Sequence, residues 1–144
     1  MMKNVMITVK GVQGIDSEKD TVELTTEGKF GKKDGKYFIS YEEGQLMESA
    51  SAKTSIYINS PKSLVLTRKG DINSRLEIEE NLRKTCFYST PIGELNMGIY
   101  GEKVEINLNE SGGSINLAYT IDSDLRLISR NTVEITVKEV EKCQ

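Results

Sequence analysis

The sequence predicts an all-β protein, an antiparallel β-barrel of roughly ten strands formed as one domain over residues 1–144. Three observations predict it. From Met97 to Val140 apolar and polar residues alternate almost without interruption, and a period of two marks strands whose successive side chains point to opposite faces. The alternating runs are joined by short turn-type segments, as an up-and-down meander requires. Glycines fall inside the runs at Gly28, Gly44 and Gly98, where sharp coiling needs a residue without a side chain. A two-sheet sandwich is the alternative. The local connections favour closure into a barrel, which also removes edges open to aggregation.

Asn4–Gln13 is the first strand, with Val5, Ile7 and Val9 on one face. A polar turn at Ser17–Asp20 leads into Thr21–Lys32, which sets Val22, Leu24, Thr26, Gly28 and Phe30 against Thr21, Glu23, Thr25, Glu27 and Lys29. Asp34-Gly35 then lies between two alternating runs, the strongest short-range hairpin signal, and Tyr37–Glu43 follows. Ala52–Asn59 opposes Ala52, Thr54, Ile56 and Ile58 to Lys53, Ser55, Tyr57 and Asn59. Ser60-Pro61 turns the chain into Leu64–Lys69, and Gly70-Asp71 is the next turn. Ile72–Lys84 reads either as a short helix or as a hairpin through Glu80-Asn81; the strand-formers Thr85, Phe87 and Tyr88 favour the hairpin. Leu95–Tyr100 precedes a turn expected at Gly101, after which Val104, Ile106 and Leu108 mark one face of a new strand. Asn109–Gly113 closes a hairpin into Ile115, Leu117, Tyr119 and Ile121. Past Asp122–Asp124 the last strand carries Val133, Ile135 and Val137, with Arg130 and Asn131 read as a cap where the barrel closes.

A chain of 144 residues buries roughly 68–70% of its unfolded surface, enough for a core without metal or disulfide. With a net charge of −3, the chain repels nucleic acid, so no nucleic-acid role is expected. The apolar run Val5–Ile7 is too short for a signal peptide, and no segment has the roughly 18 apolar residues of a spanning helix. Cys86 and Cys143 read as reduced thiols, which together with the missing leader gives the expectation of a cytoplasmic protein outside the membrane. The sequon Asn109-Glu110-Ser111 therefore has no consequence.

Chemistry-bearing residues are sparse. The chain has no histidine, so the commonest general base and the commonest metal ligand are missing. Glu42-Glu43 and Glu79-Glu80 are neighbours on strands and point apart, so neither pair forms a joint acid–base or cation site. Cys86 reads as a small core residue with nothing to activate it. Gly28–Lys32 has glycines and lysines but no following helix, so it is not a phosphate loop. The lysines 29, 32, 33 and 36 surround one turn and read as a solvated hairpin. The expectation is a protein that is not an enzyme and has neither cofactor nor metal.

The segments Phe38-Ile39-Ser40-Tyr41-Glu42-Glu43, Thr54…Ile56…Ile58, Leu66-Thr67-Arg68-Lys69-Gly70, Tyr88-Ser89-Thr90-Pro91-Ile92-Gly93 and Leu127-Ile128-Ser129-Arg130-Asn131-Thr132 resemble, in that order, the YwiB-like family of uncharacterised bacterial proteins. The likeness runs over nearly the whole chain through short motifs. It implies a lipocalin-like, calycin-type β-barrel and implies no activity.

One constellation stands out by parity. With the leucine faces inward, Arg68 follows Leu64 and Leu66, Tyr88 and Thr90 follow Leu82, Lys84 and Cys86, and Tyr41 follows Ile39 with Glu43 behind it. Arg68, Tyr88, Tyr41, Glu43 and Thr90 are then the candidate ligand-binding residues at a barrel mouth. A buried arginine has to be paired, so a structural ion pair closing the barrel end is the plain explanation. The sharper one is a polar cluster that fixes the anionic head of an apolar small molecule. The alternative function is an interaction protein with a filled interior, self-associating as a homodimer or binding a protein partner.

Overall fold

The computed structural model describes residues 2–15, 18–42, 53–70, 73–90 and 93–140, with Ile15 and residues 87–90 described by their backbone. Ten strands follow one another: β1 (Lys3–Ile15), β2 (Glu18–Lys33), β3 (Lys36–Glu42), β4 (Lys53–Ser60), β5 (Ser63–Lys69), β6 (Asn73–Glu79), β7 (Arg83–Thr90), β8 (Gly93–Asn109), β9 (Gly112–Ser123) and β10 (Arg126–Glu139). Each pairs antiparallel with the next, and β1 pairs with β10, so the meander closes into a barrel. The wall is uneven. β8, β9, β10, β1 and β2 have 12 to 17 residues, whereas β3 to β7 have seven or eight.

The two-residue period decides what faces inward. Phe30, Ile39, Ile56, Leu66 and Leu76 lie directly opposite one another across β2 to β6. Ile7, Ile39, Ile56, Leu64, Ile78, Ile115 and Ile135 are fully buried. β-Branched side chains suit this pleated inner wall, and each such side chain removed from water stabilises the fold by about 1.5–3 kcal/mol. Gly28 lies between Val5 and Tyr41. A methyl group there would overlap the Ile7 side chain and the Ser40 carbonyl, so β1, β2 and β3 converge because this position has no side chain.

Turn chemistry follows the residues. Asp34 and Gly35 have φ of 54° and 79°, the paired left-handed conformation that matches the twist of a two-residue hairpin. Asp124 and Leu125 repeat it with φ of 50° and 68°, although left-handed backbone costs a branched-side-chain residue about 1–2 kcal/mol. The Leu125 N–H offsets part of this by donating to Asp122 Oδ1 at 3.2 Å.

Three expectations are corrected. Gly101 is not a turn: β8 runs through it as one 17-residue strand, with a register shift between Gly101 and Lys103. The bulge is needed because the β6–β7 hairpin packs there, Asn81 N–H donating to the Gly101 carbonyl at 2.8 Å. Residues 18–20 belong to β2 and not to a turn, because the β1–β2 pairing extends to Ile15–Glu18. Arg130 and Asn131 lie within β10, paired with Gly14 and Gln13, and not in a cap before it. Ile72–Lys84 contains a hairpin, with Asn81 at φ 67° in its turn. Gly44 and Cys143 lie outside the described residues.

Candidate functional site

The register places three of the five candidate residues, Tyr41, Arg68 and Tyr88, in one row. Tyr41 on β3 lies opposite Thr54 on β4, Thr54 opposite Arg68 on β5, Arg68 opposite Ser74 on β6, and Ser74 opposite Tyr88 on β7. Directly opposed residues share a face, so Tyr41, Thr54, Arg68 and Ser74 line the same inner surface. Tyr41 is 6% exposed and Thr54 is buried, while Arg68, near the end of β5, is exposed. Tyr41, Thr54 and Arg68 are all engaged by neighbours. Glu42, on the opposite face of β3, pairs with Lys53 and does not belong to the row. Thr90 is opposite Gly93, two residues beyond Tyr88; the side chains of Tyr88 and Thr90, and all of Glu43, lie outside what is described.

Above the packed core the inner wall opens. Along β1 the inward positions pass from fully buried Val5 and Ile7 through half-buried Val9 and Gly11 to exposed Gln13. Along β2 they pass from buried Phe30 through half-buried Thr26 and Leu24 to Val22, which is 58% exposed. Leu66, Met97, Ile121 and Val133 are likewise half-buried. These side chains face inward, so a paired sheet shields them from outside and their accessible area faces an opening in the barrel end. A separate, mostly polar hollow of about 440 Å³ lies at the β1–β2 tip of this end between Gln13, Gly14, Glu18, Lys19, Asp20, Ile128 and Ser129, and none of those apolar wall residues lines it.

A second inward polar group lies on β9 and β10, where β10 departs from the graded exposure. Asn131 and Ser129 are both buried, and Asn131 Nδ2 donates to Ser129 Oγ at 3.0 Å. Tyr119 is opposite Asn131, 9% exposed, and burial pushes its phenol up to about 12. Its hydroxyl bonds to none of the described residues, yet no buried side-chain nitrogen or oxygen among them is unsatisfied. The sequence held a signal for both residues: Tyr119 and Asn131 share the parity of Leu117 and Val133.

A second arginine forms an ion pair lower in the wall. Arg83 Nε and Nη2 donate to Asp122 Oδ2 and Oδ1 at 3.0 and 2.6 Å, holding the carboxyl below its ordinary range. The guanidinium lies against Gly98, where a methyl group would overlap it, so the pair bridges β7 to β9 across a glycine of β8. Burial pushes the Cys86 thiol up to about 11, helped by the Asp122 charge, which leaves it protonated and unreactive near neutral pH. Among the described residues no three His, Cys, Asp or Glu side chains cluster to hold a metal ion.

Comparison with known proteins agrees with this architecture. The family model described as a domain of unknown function, DUF1934, matches residues 7–135. The chain is 24% identical over 115 residues to the uncharacterised β-barrel protein YwiB of Bacillus subtilis, covering 80% of this chain and 79% of that one. The crystal structure of YwiB superimposes with a TM-score of 0.85 at 21% identity, over 97% of this chain and 94% of that one. At that identity the likeness concerns the fold.

Proposed function

The chain belongs to the DUF1934 family, and we propose that it is a non-catalytic, lipocalin-like carrier or sensor of a small molecule with an apolar body and an anionic head. The observation behind this reading is the graded exposure of inward residues: Val9, Leu24, Leu66, Ile121 and Val133 face an opening while the core below them is packed. An apolar enclosure with few polar groups is the usual form of a small-ligand site. Arg68 supplies the cation at the rim, with Tyr41, Tyr88, Thr90 and Glu43 as its neighbours in the candidate set. Tyr119 Oη and Asn131 add neutral hydrogen-bonding groups on the facing strands. A cytoplasmic location accords with the free Cys86.

Native mass spectrometry of the full chain purified from bacterial cells, followed by solvent extraction, tests the reading. The expected result is a stoichiometric adduct that is lost in Arg68→Ala. A clean unliganded mass would count against it.

A second reading, an interaction protein with a filled interior, draws on the packed core and on Leu125, 79% exposed, beside exposed Leu127 and Ile128. The same spectrum separates the two, because that reading expects a dimer mass without adduct.

A further inference from the structure

The end of the barrel opposite the Arg68 row carries its own pocket. It is a hollow of about 300 Å³ between the β2–β3 hairpin, the β4–β5 turn and β8, with Tyr37, Ile58, Ile106 and Leu108 as its apolar lining and Lys32 and Lys36 at its edge. Its placement follows from the register. Tyr37 shares the inward parity of Ile39 and lies opposite Lys32, and its ring stacks on Phe30 at 5.3 Å. Ile58 is the last inward residue of β4 before the turn, and Ile106 and Leu108 continue the inward parity of Val104.

The lysines at the pocket edge rest against aromatic rings. Lys32 Nζ sits 5.1 Å from the Tyr37 ring centre and Lys36 Nζ 6.0 Å from that of Tyr57. Neither has a carboxylate within ion-pair distance among the described residues, in contrast to Lys3, Lys62, Lys84 and Lys103, which do. Lys33, over Phe38 at 5.5 Å, is also without one. In a chain of net charge −3, the hairpin places Lys32, Lys33 and Lys36 beside an apolar floor, with a single carboxylate, Asp34, in the turn between them.

We propose that this lower pocket is a second binding site, for a small organic anion. The apolar body rests on Tyr37, Ile58 and Leu108, and a single phosphate or carboxylate is held by Lys32 on the inward face, with Lys36 turning to it at the rim from the outer face, where its ammonium rests over Tyr57. The volume is at the small end of ligand pockets, which suits one ring and one anionic group better than a long acyl chain or a peptide. The charge complementarity and the aromatic floor select an aryl or short-chain anion over a neutral molecule. No part of this assignment uses Arg68, so it stands or falls separately from the site at the other end.

Isothermal titration of the full-length protein with phenyl phosphate, inorganic phosphate and benzyl alcohol tests it. In the Arg68→Gln background, which removes the cation of the other site, the expected result is saturable binding of phenyl phosphate that weakens roughly tenfold or more when Lys32→Gln/Lys36→Gln is added. Inorganic phosphate and benzyl alcohol should each bind more weakly than phenyl phosphate, because each lacks one half of the match. Both lysines are exposed, so the variant folds and its melting curve verifies this. No binding in the Arg68→Gln background, binding there that is unchanged by Lys32→Gln/Lys36→Gln, or equal affinity for inorganic phosphate would overturn the proposal.

Discussion

Arg83, Gly98 and Asp122 form a unit in which each residue has a separate task. The guanidinium reaches Asp122 because Gly98 leaves the space it crosses. Gly98→Ala should therefore push the guanidinium aside and destabilise by about 1 kcal/mol. Asp122→Asn should destabilise as well, and the double variant should lose less than the sum, since both changes break one interaction. The pH dependence has a fixed sign. The Arg83 hydrogen bonds lower the Asp122 pKa in the folded state, so the stabilisation is present above the ordinary aspartate value of about 3.9 and is lost as pH falls through the lowered one. Melting temperatures of wild type and Asp122→Asn, measured from pH 7 downward, should converge in acid. A gap that stays constant would show that the pair adds nothing through its charge.

The hairpins and strands were readable in the sequence where local chemistry decides them. Asp34-Gly35 adopts the left-handed pair that its residue types favour, and the alternation gave the inward Ile115, Leu117, Tyr119 and Ile121 of β9 and Val133, Ile135 and Val137 of β10. Gly101 misled, because a glycine between two alternating runs looks the same whether it ends a strand or lets another hairpin approach; only the contact with Asn81 distinguishes them. Asn131 was missed although its parity with Val133 was visible, since asparagine before an apolar run reads as punctuation. Arg83 gave no signal, because its partner is 39 residues away. At this scale Gly28 gives a clear test. Its missing side chain lets β1 and β3 approach β2, and the obstructing Ser40 carbonyl is backbone and does not swing away. Gly28→Ala should cost about 1–3 kcal/mol in chemical denaturation, whereas Gly11→Ala, where an added methyl group meets only the Thr132 carbonyl at ordinary contact distance, should cost distinctly less.

The whole molecule combines a packed middle with an apolar inner wall that is partly exposed toward both ends, at Val9, Leu24, Ile121 and Val133 above and at Tyr37, Ile106 and Leu108 below. The long strands β8 to β2 keep inward residues such as Val9, Leu24, Ile121 and Val133 on a wall facing the short strands that bring Tyr41, Thr54 and Arg68 into one row. Parity pointed to Tyr41, Arg68 and Tyr88, whereas Thr54 and Ser74 enter the row only through the register, and the exposure above the core was not legible because burial depends on how ten strands close. The account therefore rests on that opening being occupied by a ligand. Amide NMR shifts during a titration with dodecanoate test this most directly. Saturable shifts at Val9, Leu24, Leu66, Ile121 and Val133, absent in Arg68→Ala, are the predicted result; no saturable shift on these inward positions, or shifts confined to the outer face, would contradict it.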